Sequence, residues 1–252
     1  MEIKGKKAVI VGGASGMAKA SAEMLHAKGA DVAILDLPNT AGPEVAKELS
    51  GTFHEVNILD DDQVESALGD AVAALGGLHI AVNTAGGGIG KRTLSKDGPH
   101  PIEDFRRMIE LNLIGTFNLN RLQAWHMSTN EPEDDERGVI IDTASIAAFE
   151  GQIGQVAYTA AKAGIAGMML TMARDLGSLG IRAVAIAPSL FSTGLTAGIN
   201  DEFAAALTKD SAFPKRLGRA EEYGKLAVAI VENPMLNGLC IRLDGGTRFA
   251  PK

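Results

Sequence analysis

The stretch Ala8-Val9-Ile10-Val11-Gly12-Gly13-Ala14-Ser15-Gly16-Met17-Ala18 decides the fold. A short apolar, β-branched run ends in a glycine-rich turn, and a stretch of helical character over 15–28 follows at once. A run that is apolar nearly throughout suits a parallel strand buried on both faces. Glycines permit the tight turn and let backbone N–H groups approach a pyrophosphate at the positive end of a helix. Many βα turns contain glycine. The place of this one, after the first strand of a βαβ unit, is what gives it weight.

Outward from this point the same rhythm repeats. Further apolar runs lie at Val32–Leu35, Thr52–Val56, Leu78–Val82, Val139–Ile141, Arg182–Ile186 and Leu239–Leu243. Helix candidates at 43–50, 61–75, 102–128, 156–178 and 220–232 fall between them. The alternation predicts an α/β protein with a doubly wound, Rossmann-type sheet of seven parallel strands flanked by helices, joined by right-handed crossovers. No composition shift marks a boundary, so residues 1–252 read as a single catalytic domain. Two segments interrupt the rhythm, Gly86–Pro101 and Ser189–Ser211. Long loops at the C-terminal ends of such strands are usually functional, and these two are expected to form the substrate side. The acidic run Glu131–Glu136 reads as a solvated turn.

Bulk properties narrow the function classes. The chain carries a net charge of −7 and no basic block, which disfavours binding to nucleic acid. Its one cysteine, Cys240, excludes an intramolecular disulfide or a cysteine-based zinc cluster. His26, His54, His79, His100 and His126 show no metal-like spacing, so no metal site is expected. No apolar run of membrane-spanning length is evident, and the first strand begins too early to leave room for a leader, so a cytoplasmic enzyme is expected.

Asp36 follows Gly16 by 20 residues, at the end of the second strand, where a carboxylate accepts hydrogen bonds from an adenosine ribose diol and repels a 2′-phosphate. Leu37 adds no positive charge, so NAD is preferred over NADP. The alternative is that Asp36 only caps the turn before Pro38. Tyr158 and Lys162 stand four apart at the start of a helix and share a face. A tyrosine is a poor base near its usual pKa of about 10; an adjacent ammonium and a positive nicotinamide would favour the phenolate. Ser145, after the fifth strand, offers a hydroxyl to a substrate oxygen. Gln152 and Gln155 read equally as substrate-facing or as polar turn residues. Lys91, Arg92 and Lys96 read either as contacts for coenzyme A phosphates or as solvated loop charges. Met168, Met169 and Met172 read as core or subunit contacts, and Ala160, Ala161, Ala163, Gly164 and Gly167 would let another helix approach closely.

Taken in order, the glycine turn at 12–18, Asp36, Asn83-Thr84-Ala85-Gly86, Asn112, Ser145, Tyr158-x-x-x-Lys162 and Pro188 resemble the short-chain dehydrogenase/reductase family over essentially the whole chain. The resemblance implies that Tyr158 is the general acid/base. Lys162 would bind the nicotinamide ribose and acidify the tyrosine, Ser145 would orient the substrate carbonyl, and Asn112 would support a water-linked proton relay. It places Gly12, Ser15, Gly16, Met17, Asp36, Asn57, Ile58, Asn83, Ala85, Gly86, Tyr158, Lys162, Pro188 and Thr193 against the cofactor, and Ser145, Gln152, Gln155 and Tyr158 on the substrate side. Longer strings, among them TASIAAFEG at Thr143–Gly151 and ENPMLNG at Glu232–Gly238, resemble the branch of type 2 3-hydroxyacyl-CoA dehydrogenases, also described as 17β-hydroxysteroid dehydrogenases. That branch implies NAD-linked oxidation of secondary alcohols on acyl-CoA or steroid substrates, a role in lipid metabolism, and a homotetramer. Another alcohol or ketone, or a non-catalytic NAD-binding scaffold, are the alternative readings. Val11, Ala18, Asn57 and Ser189 depart from the family pattern; none removes a catalytic group, and cofactor affinity is the property they bear on.

Overall fold

The apolar runs do form strands; the inner ones are buried, and the two edge strands, Thr52–Glu55 and Leu239–Leu243, are only partly so. The computed structural model describes residues 1–192 and 208–251. Seven strands make up the central sheet: β1 (Lys7–Val11), β2 (Asp31–Asp36), β3 (Thr52–Glu55), β4 (Ile80–Asn83), β5 (Gly138–Thr143), β6 (Ile181–Pro188) and β7 (Leu239–Leu243). All neighbours pair in parallel, in the spatial order β7-β6-β5-β4-β1-β2-β3. The order reverses between β1 and β4, and a crevice opens at such a switch point, outside the C-terminal strand ends. The expected doubly wound fold is confirmed.

The helices are α1 (Gly16–Ala27), α2 (Gly42–Glu48), α3 (Asp61–Leu75), α4 (Ile102–Ile109), α5 (Gly115–Met127), α6 (Val156–Leu176) and α7 (Ala220–Glu232). Local chemistry sets several ends. Asp60 caps α3 by accepting from the Gln63 amide at 3.1 Å, and Gly76 stops it in the left-handed region at φ 75°. One sheet face packs α3, α5 and α6 around Leu68, Leu119, Ile140 and Ile165; the other packs α1 and α7 around Leu25, Ile34, Ile141 and Tyr223. Ala18 belongs to the second cluster at 1% exposure, so its added methyl is accommodated in packed core.

Three local expectations are corrected. The helix expected over 102–128 is interrupted by a π-helical turn, Glu110–Ile114, between α4 and α5. Asn112 sits in this turn, and its side-chain amide donates to the Met108 carbonyl at 3.1 Å, one turn back, competing with the backbone for that acceptor. The acidic run is not wholly solvated either. Glu136 is paired with Arg182 at 2.7 Å, with both side chains nearly buried, because Arg182 needs a counter-charge beneath the sheet. Finally, α6 with the turn after it (Val156–Leu179) is long and apolar enough by composition to cross a membrane. It packs instead as a helix against the sheet, with Ala161, Ile165 and Met169 buried, and carries Lys162 within it.

Inside the 86–101 loop, Leu94–Ser95 and Gly98–Pro99 pair as a small antiparallel hairpin. Of Ser189–Ser211, residues 193–207 lie outside the described part, and Thr193 lies there with them.

Candidate active site

Strand register brings the expected residues to one edge. Val11 is level with Leu35 on one side and with Asn83 on the other, Asn83 is level with Asp142, and Thr143 with Ile186. The segments that follow these positions, far apart in sequence from Val11 to Ile186, therefore share a rim.

A cleft of about 680 Å3 opens at the crevice. Its lining comes from the glycine turn (Gly12, Ser15, Gly16 and Met17), the end of β2 (Asp36), the segment after β3 (Asn57 and Ile58) and the segment after β4 (Ala85 and Gly86). Gly12 has φ +79°, and a Cβ there would stand 2.8 Å from Thr84 Oγ1 and 2.9 Å from the Ala85 nitrogen, so only glycine keeps the turn open. Ser15, at the N-cap of α1, makes no side-chain capping bond. The first N–H groups of that helix are thus left for another acceptor. Size, glycine cradle and helix terminus fit a dinucleotide. The Asp36 carboxylate accepts from the Ala14 amide at 2.9 Å and the Leu37 amide at 2.7 Å. It steadies the turn and also lines the cleft, so the two readings of this residue are compatible. Arg107 and Leu111 complete the lining from α4 and the π-turn. Nothing in their local sequence marked them; only their position just before Asn112 was a clue.

The second part of the site centres on α6. Tyr158 is largely buried, and burial pushes its phenol up while a hydrogen bond from Ser145 acts against the shift. The Lys162 Nζ lies 5.7 Å from the centre of the Tyr158 ring and donates to the Thr143 carbonyl at 2.8 Å. Sequence alone favoured the phenolate through the ammonium; here desolvation of the phenol is the dominant effect. Burial also pulls Lys162 down to about 8, opposed by the negative charge of Asp142. Asn112 is fully buried, exchanges hydrogen bonds with the Gly87 backbone at 2.9 and 3.2 Å, and faces Gly86, where a Cβ would stand 2.6 Å from its Oδ1 and 3.6 Å from Lys162 Nζ. Ser145, Tyr158, Lys162 and Asn112 are thereby brought to the same end of the cleft as Gly86.

Other expected residues are placed differently. Asn83 does not line the cleft; its side chain is spent in a buried polar network with Asn120, Gln123 and Asp142 at 2.9–3.0 Å. Pro188 ends β6 and its carbonyl accepts from Ile146 at 3.1 Å, a structural placement. Gln155 accepts from the Gln152 amide at 2.9 Å, and Gln152 donates to the Ala250 carbonyl at 3.2 Å. These contacts are those of a polar turn that also tethers the C-terminal segment. A second cavity of about 490 Å3 lies against this turn, between Arg92, Leu94, Ile153 and Thr159. Lys91 is ion-paired with Asp104 on α4. Gly164 has Leu113 of the same chain close against it, where a Cβ would stand 2.8 Å away, so at this position the small residue serves intrachain packing. Among the described residues no cluster of His, Cys, Asp or Glu is arranged to hold a metal.

Comparison with known proteins agrees with this geometry. The short chain dehydrogenase family model matches residues 6–204. The chain is 47% identical over 254 residues to human 3-hydroxyacyl-CoA dehydrogenase type-2, covering 99% of this chain and 97% of that protein. It is 46% identical to the Drosophila melanogaster protein of the same name, covering 99% and 100%. The crystal structure of 3-hydroxyacyl-CoA dehydrogenase type-2 from Mycobacterium avium superposes with a TM-score of 0.94 at 42% identity, over 98% of each chain. The chain belongs to the short-chain dehydrogenase/reductase family and is an oxidoreductase.

Proposed function

We propose that this protein interconverts a secondary alcohol and a ketone on a hydrophobic substrate, a 3-hydroxyacyl-CoA or a hydroxysteroid, with NAD. The observation that carries the reading is the convergence of Ser145, Tyr158 and Lys162 at the end of a dinucleotide-sized cleft. The names of the similar proteins support the hydroxyacyl-CoA class. Bound NAD would supply the hydride acceptor. Every other part of the reaction falls to this chain. Tyr158 takes the hydroxyl proton of the alcohol in oxidation and returns it in reduction. Ser145, whose hydroxyl favours the ionised phenol, holds the substrate oxygen beside it. Lys162 places a positive charge under the ring and a donor toward the cofactor ribose. Asn112, through the Gly87 backbone, fixes the segment that closes over both. A panel of 3-hydroxyacyl-CoA esters and hydroxysteroids, followed by NADH fluorescence, tests the assignment; cofactor binding with no turnover on any of them would refute it.

NAD preference is assigned to Asp36. In Asp36→Ala the ratio of kcat/KM for NAD over NADP is expected to fall by about 10²-fold, the order of two lost charge-assisted bonds. Steady-state kinetics with both cofactors measures it, and an unchanged ratio would remove Asp36 from the ribose site. The loop cations give a further test. With Lys91 held by Asp104, Arg92 and Lys96 are the better placed pair for coenzyme A phosphates. Neutralising all three is expected to raise KM for an acyl-CoA about tenfold and spare a steroid alcohol. An equal effect on both substrates would sink the contact. The exposed Ala160, Gly167 and Leu170 of α6 support a homotetramer, which sedimentation would test.

A further inference from the structure

β5 is apolar and buried along its length except for one charge. Asp142 is completely buried, between Ile141 and Thr143. Its carboxylate accepts from Asn83 Nδ2 at 2.9 Å and from Asn120 Nδ2 at 2.6 Å. Asn83 is held in turn by Gln123, whose amide donates to it at 2.8 Å. Both donors are neutral. The carboxylate is in direct contact with no cation among the described residues. Lys162 is almost as deeply buried, and its ammonium donates to the carbonyl of Thr143, the residue that follows Asp142. Two opposite charges are thus enclosed on the same face of the sheet, linked through a single strand residue, and among the described residues neither has another ionic partner.

We propose that Asp142 is a positioning residue for the reaction, a buried carboxylate whose charge keeps the Lys162 ammonium charged beneath Tyr158. The proposal rests on the role given to Lys162 above. An enclosed ammonium strongly favours losing its proton, and an anion nearby is the simplest way to hold it. The other groups facing this spot add no charge near neutrality. From α6 comes Tyr158, and from α7 Tyr223, whose hydroxyl bonds Thr143 Oγ1 at 2.7 Å and whose phenol is pushed up by burial. Beyond Tyr223 stands Cys240 of β7, pushed up to about 11. β4, α5 and the π-turn contribute the amides of Asn83, Asn120, Gln123 and Asn112. The charge of Asp142 is therefore the one that Lys162 feels most directly, and the two amide donors favour the ionised carboxylate against its burial.

A purely structural role is the competing reading, because two N–H donors call for an acceptor-only side chain at position 142. The two separate on the pH profile of ketone reduction, with acetoacetyl-CoA and NADH as probes. In Asp142→Asn the alkaline limb of kcat/KM is expected to move down by about one pH unit, so the loss is about tenfold at pH values above the wild-type limb and small at pH values well below it. Asn120→Leu removes one of the two donors that favour the ionised carboxylate, and should move the limb in the same direction by less; it carries the test if Asp142→Asn does not fold. A limb that stays put in the folded variants, even with a lowered Tm, overturns the proposal. Tyr158→Phe is assayed alongside. If it keeps its turnover, the assignment of the whole site fails; if it is inactive while the limb is unmoved, only the role of Asp142 does.

Discussion

Tyr158→Phe is expected to lose turnover by about 10³–10⁴-fold, while still binding NADH with near-native affinity. The substitution removes one oxygen from a largely buried ring and leaves the ring in place beside Lys162. What goes is the atom that exchanges the substrate proton and accepts or donates the bond to Ser145. Burial alone holds the Tyr158 phenol above its ordinary value. Wild-type oxidation of the alcohol should therefore rise with pH as the phenolate forms, and this rise should be absent from any residual activity of the variant. Stopped-flow hydride transfer and fluorescence titration of NADH read the two quantities separately. A variant with normal kcat would show that the proton moves elsewhere.

Lys162→Met should be the second most damaging change, lowering kcat/KM by about 10²–10³-fold. Methionine fills a similar volume, so the cost is electrostatic. The buried ammonium disappears, the Thr143 carbonyl loses its donor, and Tyr158 loses the cation over its ring. Stability should fall, because removing one member of an enclosed charge pair leaves the buried Asp142 carboxylate uncompensated. Asp142, already pushed up to about 6 by burial, is then left without the cation that favours its ionised form, and its pKa should climb further. The sign follows: the carboxyl costs nothing below its ordinary value of about 4, and the fold is weakened as pH rises from there through the raised value. Thermal melts across pH 5–9, set beside the kinetics, check both halves. An enzyme within threefold of wild type would deny Lys162 its place in the chemistry.

Much of the architecture was legible from local pattern. Each of the seven apolar runs became a strand, with ends shifted by a residue or two, and α7 matched its expected bounds. The break in the helix over 102–128 was not legible. Asn112 looked like any helical polar residue until its amide was seen to compete for the Met108 carbonyl while bonding the Gly87 backbone across the cleft. Asp142 was passed over for a related reason. It stands at the end of an apolar run, where sequence reads a strand terminus and water; only the packing of α5 against β5 encloses it with Asn120. Gln152 and Gln155 stayed ambiguous because a turn that ties down a distant C-terminal segment leaves no trace in nearby residues.

The glycine turn at 12–18 shows where the division falls. Sequence by itself determined that a strand, a tight turn and a helix follow one another there, since hydrophobic period and the left-handed freedom of Gly12 are properties of a few adjacent residues. The same locality determined the spacing of Tyr158 and Lys162 on one helical face. The tertiary structure decided which of these features meet, through parallel register that sets Leu35, Val11, Asn83 and Asp142 side by side. It also decided the charge states on which the chemistry depends. Desolvation acts through neighbours as far apart in sequence as Thr143 and Tyr223, and no local pattern records how much water a folded chain excludes.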